Sequence, residues 1–537
     1  MLNLKRFPYK NIRPIQKNIL ETIKNNWNNN DYIVIEAPPG TGKSAIAKTI
    51  LDSNNKGYLL TITKQLQDQY INDFKDGTIT DIKGRNNYKC IKNEKLNCEN
   101  GLCNLNKELI KTCKDSGFCP YYSRRQEALR SNIAMSSYSY FLKAWDSSTF
   151  WDTRDVIVLD ECHCIEEQLV NVYTLHLSPS ELNEKYGILE NVDIGTFTTL
   201  FNAPTENGYD ANKKWILKLK DTIHNRRLEL LKETTFGQTK NPDELTEDEL
   251  NELLHSNSGY YNLNKFYNKL VKFIQSPKDD WIIEPKDNGL IIIPLKVDNI
   301  FRTNIDKYRK RGGKIVFMSA TILDVKGFCK DLGLPRERTL VLRANSTFNS
   351  SMSPIIYKPT CKMGYEDIDK NSKKIIEQIK LILNENENKK GIIHCGNYKL
   401  AKLIENNIKD PRLIFKDDFE TNNDIINKHI KSKLATVLVS PSLTTGVDLK
   451  GDLSRFQIII KMPFTSLLDS RTKLKIELEQ DWYICNMFRT LIQACGRSTR
   501  SENDWSVTYI LDPSFFYWIQ KYKKWFNKQF LNRIRWK

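Results

Sequence analysis

Between Ile35 and Ser44 the chain reads I-E-A-P-P-G-T-G-K-S, and these residue types in this order make a cradle for phosphate. Gly40 and Gly42 let the backbone aim its N–H groups at phosphate oxygens where a helix begins, and Pro38, Pro39 and Thr41 complete the loop. Lys43 would bridge the β- and γ-phosphates of a nucleotide, and the Ser44 hydroxyl would ligate Mg²⁺. The pattern departs from its usual form only at Ala37, where a Gly normally opens it. A second set, V-I-V-L-D-E-C-H from Val156 to His163, ends an apolar run in two carboxylates. Asp160 there would hold Mg²⁺ through water, and Glu161 would orient or deprotonate an attacking water. A third set, Gln493 to Arg500, reads Q-A-C-G-R-S-T-R and places Arg497 and Arg500 three apart on one face of a helix. Such arginines reach across a cleft to neutralise charge on a transferring phosphoryl group. Nucleotide hydrolysis, cleavage at the terminal phosphate, is the chemistry these three sets share.

The elements that must position them follow from the hydrophobic pattern. Short apolar runs alternate with helical spacing, the mark of parallel sheets wrapped by helices. One sheet is expected to contain Tyr32 to Ala37, Tyr58 to Thr63, Val156 to Leu159 and Ile315 to Met318. A second is expected to contain Gly391 to His394, Thr436 to Val439, Phe456 to Met462 and Val507 to Leu511. The run Ser372 to Leu383 sets Ile375, Ile376, Ile379, Ile382 and Leu383 on one helix face, and Trp482 to Ala494 forms the helix that leads to the arginines. From about 170 to 290 the strand signal fades, and Phe266, Leu270, Phe273 and Ile274 recur at helical spacing beside the acidic stretch Asp243 to Glu252, so a helical insertion is expected there. The tail Phe515 to Trp536 reads as an amphipathic helix docked on the second sheet.

At 537 residues the chain exceeds one core, and 82 Lys and Arg against 65 Asp and Glu leave it at +17. That balance suits a polyanionic partner such as nucleic acid, although a Lys-rich surface alone would give it too. No signal core opens the sequence and no run approaches the ~18 apolar residues of a membrane span, so an intracellular protein without membrane attachment is expected. Five of the twelve cysteines, Cys90, Cys98, Cys103, Cys113 and Cys119, fall within thirty residues. In an intracellular chain such density suggests metal rather than disulfides, and the lack of paired C-x-x-C spacing makes zinc the weaker reading.

The motifs together resemble the superfamily 2 DNA helicases of the XPD and DinG type, over nearly the whole chain. Phe7 to Gln16, F-P-Y-K-N-I-R-P-I-Q, is similar to that family's adenine-recognition segment, which makes Arg13 and Gln16 base contacts. The phosphate loop and the D-E-C-H box resemble motifs I and II, with Cys162 where Ala is usual and His163 in the catalytic set. Ser319-Ala320-Thr321 resembles motif III, and Ser440 to Leu449, S-P-S-L-T-T-G-V-D-L, resembles motif V and brings Gly446 and Asp448 to the nucleotide. Gln493 to Arg500 resembles motif VI, so Gln493, Arg497 and Arg500 join the catalytic residues. Motifs III and V link hydrolysis to lobe movement in that family.

The segments I-K-G-R-N-N-Y-K-C and C-P-Y-Y resemble the start and end of its iron–sulfur domain. The resemblance implies a [4Fe–4S] cluster on Cys90 and Cys119, with Cys103 and Cys113 the favoured middle pair and Cys98 spare. It also implies an α/β chain of two RecA-like lobes: lobe 1 in parts 1–84, 123–170 and 289–325, a cluster module at 85–122, a helical arch at 171–288 and lobe 2 at 326–537. The implied activity is ATP- and Mg²⁺-dependent unwinding of DNA, moving 5′ to 3′ on a single strand toward duplex junctions. Lys83, Arg85, Tyr88, Tyr121, Tyr122, Arg124 and Arg125 would line the strand or pack within the module. The resemblance fits a monomer in the cytoplasm, or the nucleus of a eukaryote, with protein partners in repair or replication. An RNA or RNA–DNA hybrid helicase and a redox-responsive nucleic-acid-binding ATPase are the alternatives.

Overall fold

The computed structural model describes residues 2–101, 113, 117–144, 151–177, 182, 216–230, 262–286, 289–345, 349–364, 366–415, 422–440, 449, 451–496 and 504–536. Two seven-stranded sheets, parallel throughout, organise it. The first contains β1 (Tyr32–Glu36), β2 (Gly57–Thr61), β3 (Ile79–Ile82), β4 (Ile133–Ser137), β5 (Arg154–Asp160), β9 (Arg309–Ser319) and β10 (Thr339–Arg343), in the order β10-β1-β9-β5-β2-β4-β3. The second contains β11 (Ile355–Tyr357), β12 (Gly391–His394), β13 (Leu413–Ile414), β14 (Val437–Ser440), β15 (Phe456–Ile459), β16 (Val507–Ile510) and β17 (Ile534–Trp536), in the order β13-β14-β12-β15-β16-β11-β17.

Both faces of each sheet are covered, so the central strands are apolar without interruption. The period of two still sorts them: Tyr32, Val34, Ile157, Leu159, Ile315 and Phe317 face one core, whereas Ile33, Ile35, Val156, Val158, Val316 and Met318 face the other. Against the second face pack α1 (Pro14–Asn26) and α2 (Lys43–Asp52) through Ile19, Ile23, Ile46 and Ile50. Further helices used below are α3 (Lys64–Asp73), α4 (Pro120–Arg130), α5 (Ile165–Tyr173), α6 (Val325–Asp331), α7 (Ser372–Glu385), α8 (Ser470–Leu478), α9 (Gln480–Cys495), α10 (Ser514–Lys521) and α11 (Lys528–Arg533). All five apolar residues expected on one face of α7 are buried.

Four expectations are corrected. Six strands of the two large sheets escaped the hydrophobic reading because they are short or carry polar residues, as in I-T-D-I of β3 and I-A-M-S-S of β4. Because β10 pairs with β1, the first sheet runs to Arg343 and past the expected boundary at residue 325. The insertion is not wholly helical: β6 (Leu175–Leu177), β8 (Gly289–Pro294) and β7 (Trp281–Lys286) form an antiparallel sheet, although residues 216–230 and 262–275 are helical. The acidic stretch Asp243 to Glu252 lies outside the described residues. The tail is two helices, α10 and α11, followed by β17, which adds to the edge of the second sheet beside β11. Among the described residues no helix is long and apolar enough to cross a membrane.

Candidate active site

Adjacent strands β1, β9 and β5 deliver the phosphate loop, the Ser-Ala-Thr segment and the D-E-C-H box to one edge of the first sheet. Ligands of open α/β sheets bind at that carboxyl edge. Gly40 and Gly42 are left-handed, with φ of 80° and 78°, and Gly42 caps α2. A Cβ on Gly42 would stand 2.2 Å from Gln16 Nε2, so only glycine fits. Ala37 replaces the usual Gly without cost because its N–H still donates to the Ser319 carbonyl, at 2.9 Å, as an extension of β1. The Lys43 ammonium rests on the Ala37 carbonyl at 3.1 Å. Arg13 and Gln16 serve the loop itself: Arg13 Nη1 donates to the Gly40 carbonyl at 2.6 Å, and Gln16 Nε2 to the Thr41 carbonyl at 3.0 Å.

Asp160 is fixed at three points. Tyr70 Oη donates to Oδ2 at 2.9 Å, the Glu161 N–H to Oδ1 at 3.0 Å, and Tyr138 Oη to the Asp160 carbonyl at 2.8 Å. Tyr70 also neighbours Ser44, so the two oxygen donors expected to hold Mg²⁺ share it. Hydroxyl and carboxylate oxygens suit that hard cation. Glu161 has φ of 51°, a strained angle for a residue with a side chain, and this turns its carboxylate to His163 Nδ1 at 3.4 Å and the Ser319 hydroxyl at 3.4 Å. His163 Nδ1 lies 2.7 Å from Ser319 Oγ, and Nε2 lies 2.7 Å from the Gln493 amide on α9.

The paired carboxyls are driven apart. Burial and the adjacent Glu161 charge raise Asp160 above the usual carboxylate range. Burial would raise Glu161 too, but the His163 hydrogen bond and the Lys43 charge outweigh it and hold Glu161 low. Burial lowers the His163 imidazolium, and neighbouring Cys164 and Glu161 more than reverse this, to about 9.

The second lobe reaches the first through side chains that sequence reasoning missed. Arg489, one turn before Gln493 on α9, donates to the Ile322 carbonyl at 3.0 Å, just past the Ser-Ala-Thr segment. The next residue, Leu323, is the other non-glycine with positive φ among the described residues, 64°, and Glu36 accepts from its N–H at 2.6 Å. Arg489 falls between the apolar residues Phe488 and Leu491, four before Gln493, and that was the available signal. At the far wall Glu166 of α5 meets Arg471 at 2.5 Å and Lys475 at 3.3 Å, both on α8, and accepts from Trp482 Nε1 at 2.7 Å. Lys475 also pairs with Asp331 of α6 at 2.8 Å, and Arg471 Nε donates to the Pro294 carbonyl at 2.9 Å. Between these contacts runs a cleft of about 2240 Å³, lined among others by Pro38, Glu161, His163, Arg489 and Gln493. Helix α9 ends at Cys495 with Gly496 as its cap, whereas Arg497, Arg500, Gly446 and Asp448 lie outside the described residues.

Cys90, Cys98, Cys113 and Cys119 are all buried, and Cys103 lies outside the described residues. The Cys98 thiol donates to the Lys89 carbonyl at 3.3 Å and lies beside Cys119 and Cys90. Among the described residues no three His, Cys, Asp or Glu side chains form a closed metal-binding group. Most of the expected strand contacts near the module have other partners. Tyr121 and Tyr122 are buried beneath the Arg85 guanidinium, 5.0 and 5.5 Å from their rings, Arg124 pairs with Asp81, and Lys83 pairs with Asp68.

Such a site, on two sheets that meet across a cleft, defines a two-lobed nucleotide-hydrolysing motor. Residues 371–533 match the family model described as a helicase C-terminal domain, and residues 60–182 match the DEAD_2 family model. A probable ATP-dependent helicase of Methanocaldococcus jannaschii is 23% identical over 617 residues, covering 96% of this chain and 93% of that protein. The ATP-dependent DNA helicase YoaA of Haemophilus influenzae is 22% identical over 579 residues, covering 90% and 88%. A solved XPD helicase structure superposes with a TM-score of 0.64 at 17% identity, covering 98% of this chain and all of the other. The chain belongs to the XPD/DinG-type superfamily 2 helicases, and it is an ATP-hydrolysing helicase.

Proposed function

We propose that this helicase acts on DNA, moving 5′ to 3′ along a single strand and parting the duplex at junctions, with a [4Fe–4S] cluster in the module at 85–122. One observation carries the motor reading: Gln493 and Arg489 of the second lobe touch His163 and the Ile322 carbonyl of the first, so the hydrolytic residues sense the closure between lobes. Lys43 would bind the β- and γ-phosphates, and Glu161, held ionised by His163, would align the attacking water. Mg²⁺ on Ser44 and Asp160 would neutralise charge on the transferring phosphate. Arg497 and Arg500 would complete the site from the second lobe, with Gly446 and Asp448 beside the nucleotide. The DNA assignment draws on relatives named as DNA helicases and on the net charge of +17.

For the cluster, the placement of Cys98 beside Cys119 and Cys90 favours Cys90, Cys98, Cys113 and Cys119 as ligands, in place of Cys103. Thiolate ligation of a [4Fe–4S] centre there would brace the module between α4 and the first sheet. The arch at 171–288 and this module are both taken as insertions in the first lobe. Free thiols among the described residues fit a reducing compartment, and the protein would work there as a monomer. The test is strand displacement by anaerobically purified protein on 5′- and 3′-tailed DNA, RNA and hybrid duplexes. Unwinding confined to 5′-tailed DNA supports the proposal, whereas preference for RNA or hybrid, or for a 3′ tail, overturns it.

A further inference from the structure

Tyr70 has no role in the motifs, yet it is 1% exposed and its hydroxyl lies between two of them. Oη donates to Asp160 Oδ2 at 2.9 Å and neighbours Ser44, so it stands between the last residue of the phosphate loop and the first carboxylate of the D-E-C-H box. The ring is wedged against Phe74 at 6.0 Å, and Phe74 in turn meets Tyr9 of the N-terminal segment at 6.0 Å. The helix that carries Tyr70 has a second face. Gln65, Asp68, Gln69 and Asn72 of α3 line the interlobe cleft, while Tyr70 points inward, and Thr63 caps the helix by accepting from the Leu66 N–H at 3.2 Å.

We infer that Tyr70 is a positioning residue that presets Ser44 and Asp160 for Mg²⁺ and ties their placement to α3 and the wall of the cleft. The inference rests on the reading of those two residues as the metal's ligands. A phenol bonded to one ligand side chain and set beside the other reduces their freedom before the cation arrives, so its loss weakens the metal without removing a ligand. Outer partners of metal ligands are typically worth roughly 10–100-fold in affinity.

The experiment is equilibrium binding of a fluorescent ADP to the full chain across a Mg²⁺ titration, with thermal melting as a check on folding. Tyr70→Phe removes only the hydroxyl and keeps the ring packing. The Mg²⁺ concentration for half-maximal binding is expected to rise about tenfold or more, with ADP binding in excess EDTA unchanged. Tyr138→Phe serves as the comparison, since it removes a bond to the Asp160 carbonyl and leaves the carboxylate and Ser44 alone; its shift is expected to be much smaller. Equal shifts in both variants would assign the effect to packing around β5 and overturn the inference. A wild-type Mg²⁺ dependence in Tyr70→Phe overturns it as well. If the wild type binds ADP with no Mg²⁺ dependence, the metal reading of Ser44 and Asp160 fails first and takes the inference with it.

Discussion

Replacing Glu166 by Gln tests whether charge latches α8 to the first lobe. The Glu166 side chain is 13% exposed, and Arg471 and Lys475 are 10% and 7% exposed, so solvent and salt screen the pairs little. Removing one partner of a buried pair costs roughly 3–5 kcal/mol. Two features reduce that here. Gln still accepts from Trp482 Nε1, and each cation keeps an acceptor, the Pro294 carbonyl for Arg471 and the Asp331 carboxylate for Lys475. About half remains, roughly 2 kcal/mol. Arg471→Met deletes the nearer pair from the other side, so the double variant should be little less stable than the worse single one. A double-mutant cycle on urea unfolding should return a coupling of about 1.5–2 kcal/mol, little changed in high salt. Single losses that add to within about 0.5 kcal/mol, or a coupling that salt abolishes, would refute the latch.

Lys43→Ala should weaken nucleotide binding and abolish turnover, whereas Glu161→Gln should abolish turnover with binding intact, as separate ADP-binding and ATPase assays would show. Under anaerobic conditions Cys98→Ser should lose iron and sulfide while Cys103→Ser retains about four of each per chain; the reverse pattern restores Cys103 as the ligand. Because Asp160 is raised above the usual carboxylate range, a proton competes with Mg²⁺ there at pH values where exposed carboxylates are already ionised. Mg²⁺ affinity in the presence of ADP should therefore fall as the pH drops through that raised value, and Mg²⁺ titrations from neutral to mildly acidic pH should show no such fall in Asp160→Asn.

The parts of the site that one stretch of chain must build were legible. A phosphate cradle needs its glycines, lysine and hydroxyl within a few residues, and the runs Y-I-V-I-E and V-I-V-L-D announce buried parallel strands by composition. What needs two distant segments was not. Glu166 and Arg471 stand 305 residues apart, and neither neighbourhood signals the other. Nor could spacing tell which thiols lie together: the resemblance favours Cys103 over Cys98, and only the fold sets Cys98 beside Cys119. The sheet of β6, β7 and β8 was hidden because its strands flank the insertion, where helical spacing dominates the signal.

The strand order of the first sheet also sets a timetable for its synthesis. Strands β5, β2, β4 and β3 are mutual neighbours and can pair once residue 160 has emerged from the ribosome. The strand that carries the phosphate loop cannot, because β1 lies between β9 and β10, and Tyr32 must wait for Ile315 and Thr339. At about 5–20 residues per second that delay is roughly 15–60 s. Throughout it Y-I-V-I-E has neither flanking partner, an apolar edge of the kind that aggregates or recruits a chaperone. The first lobe of a nascent chain therefore acquires its phosphate-loop strand last, and phosphate binding at that loop marks the moment at which the lobe is whole.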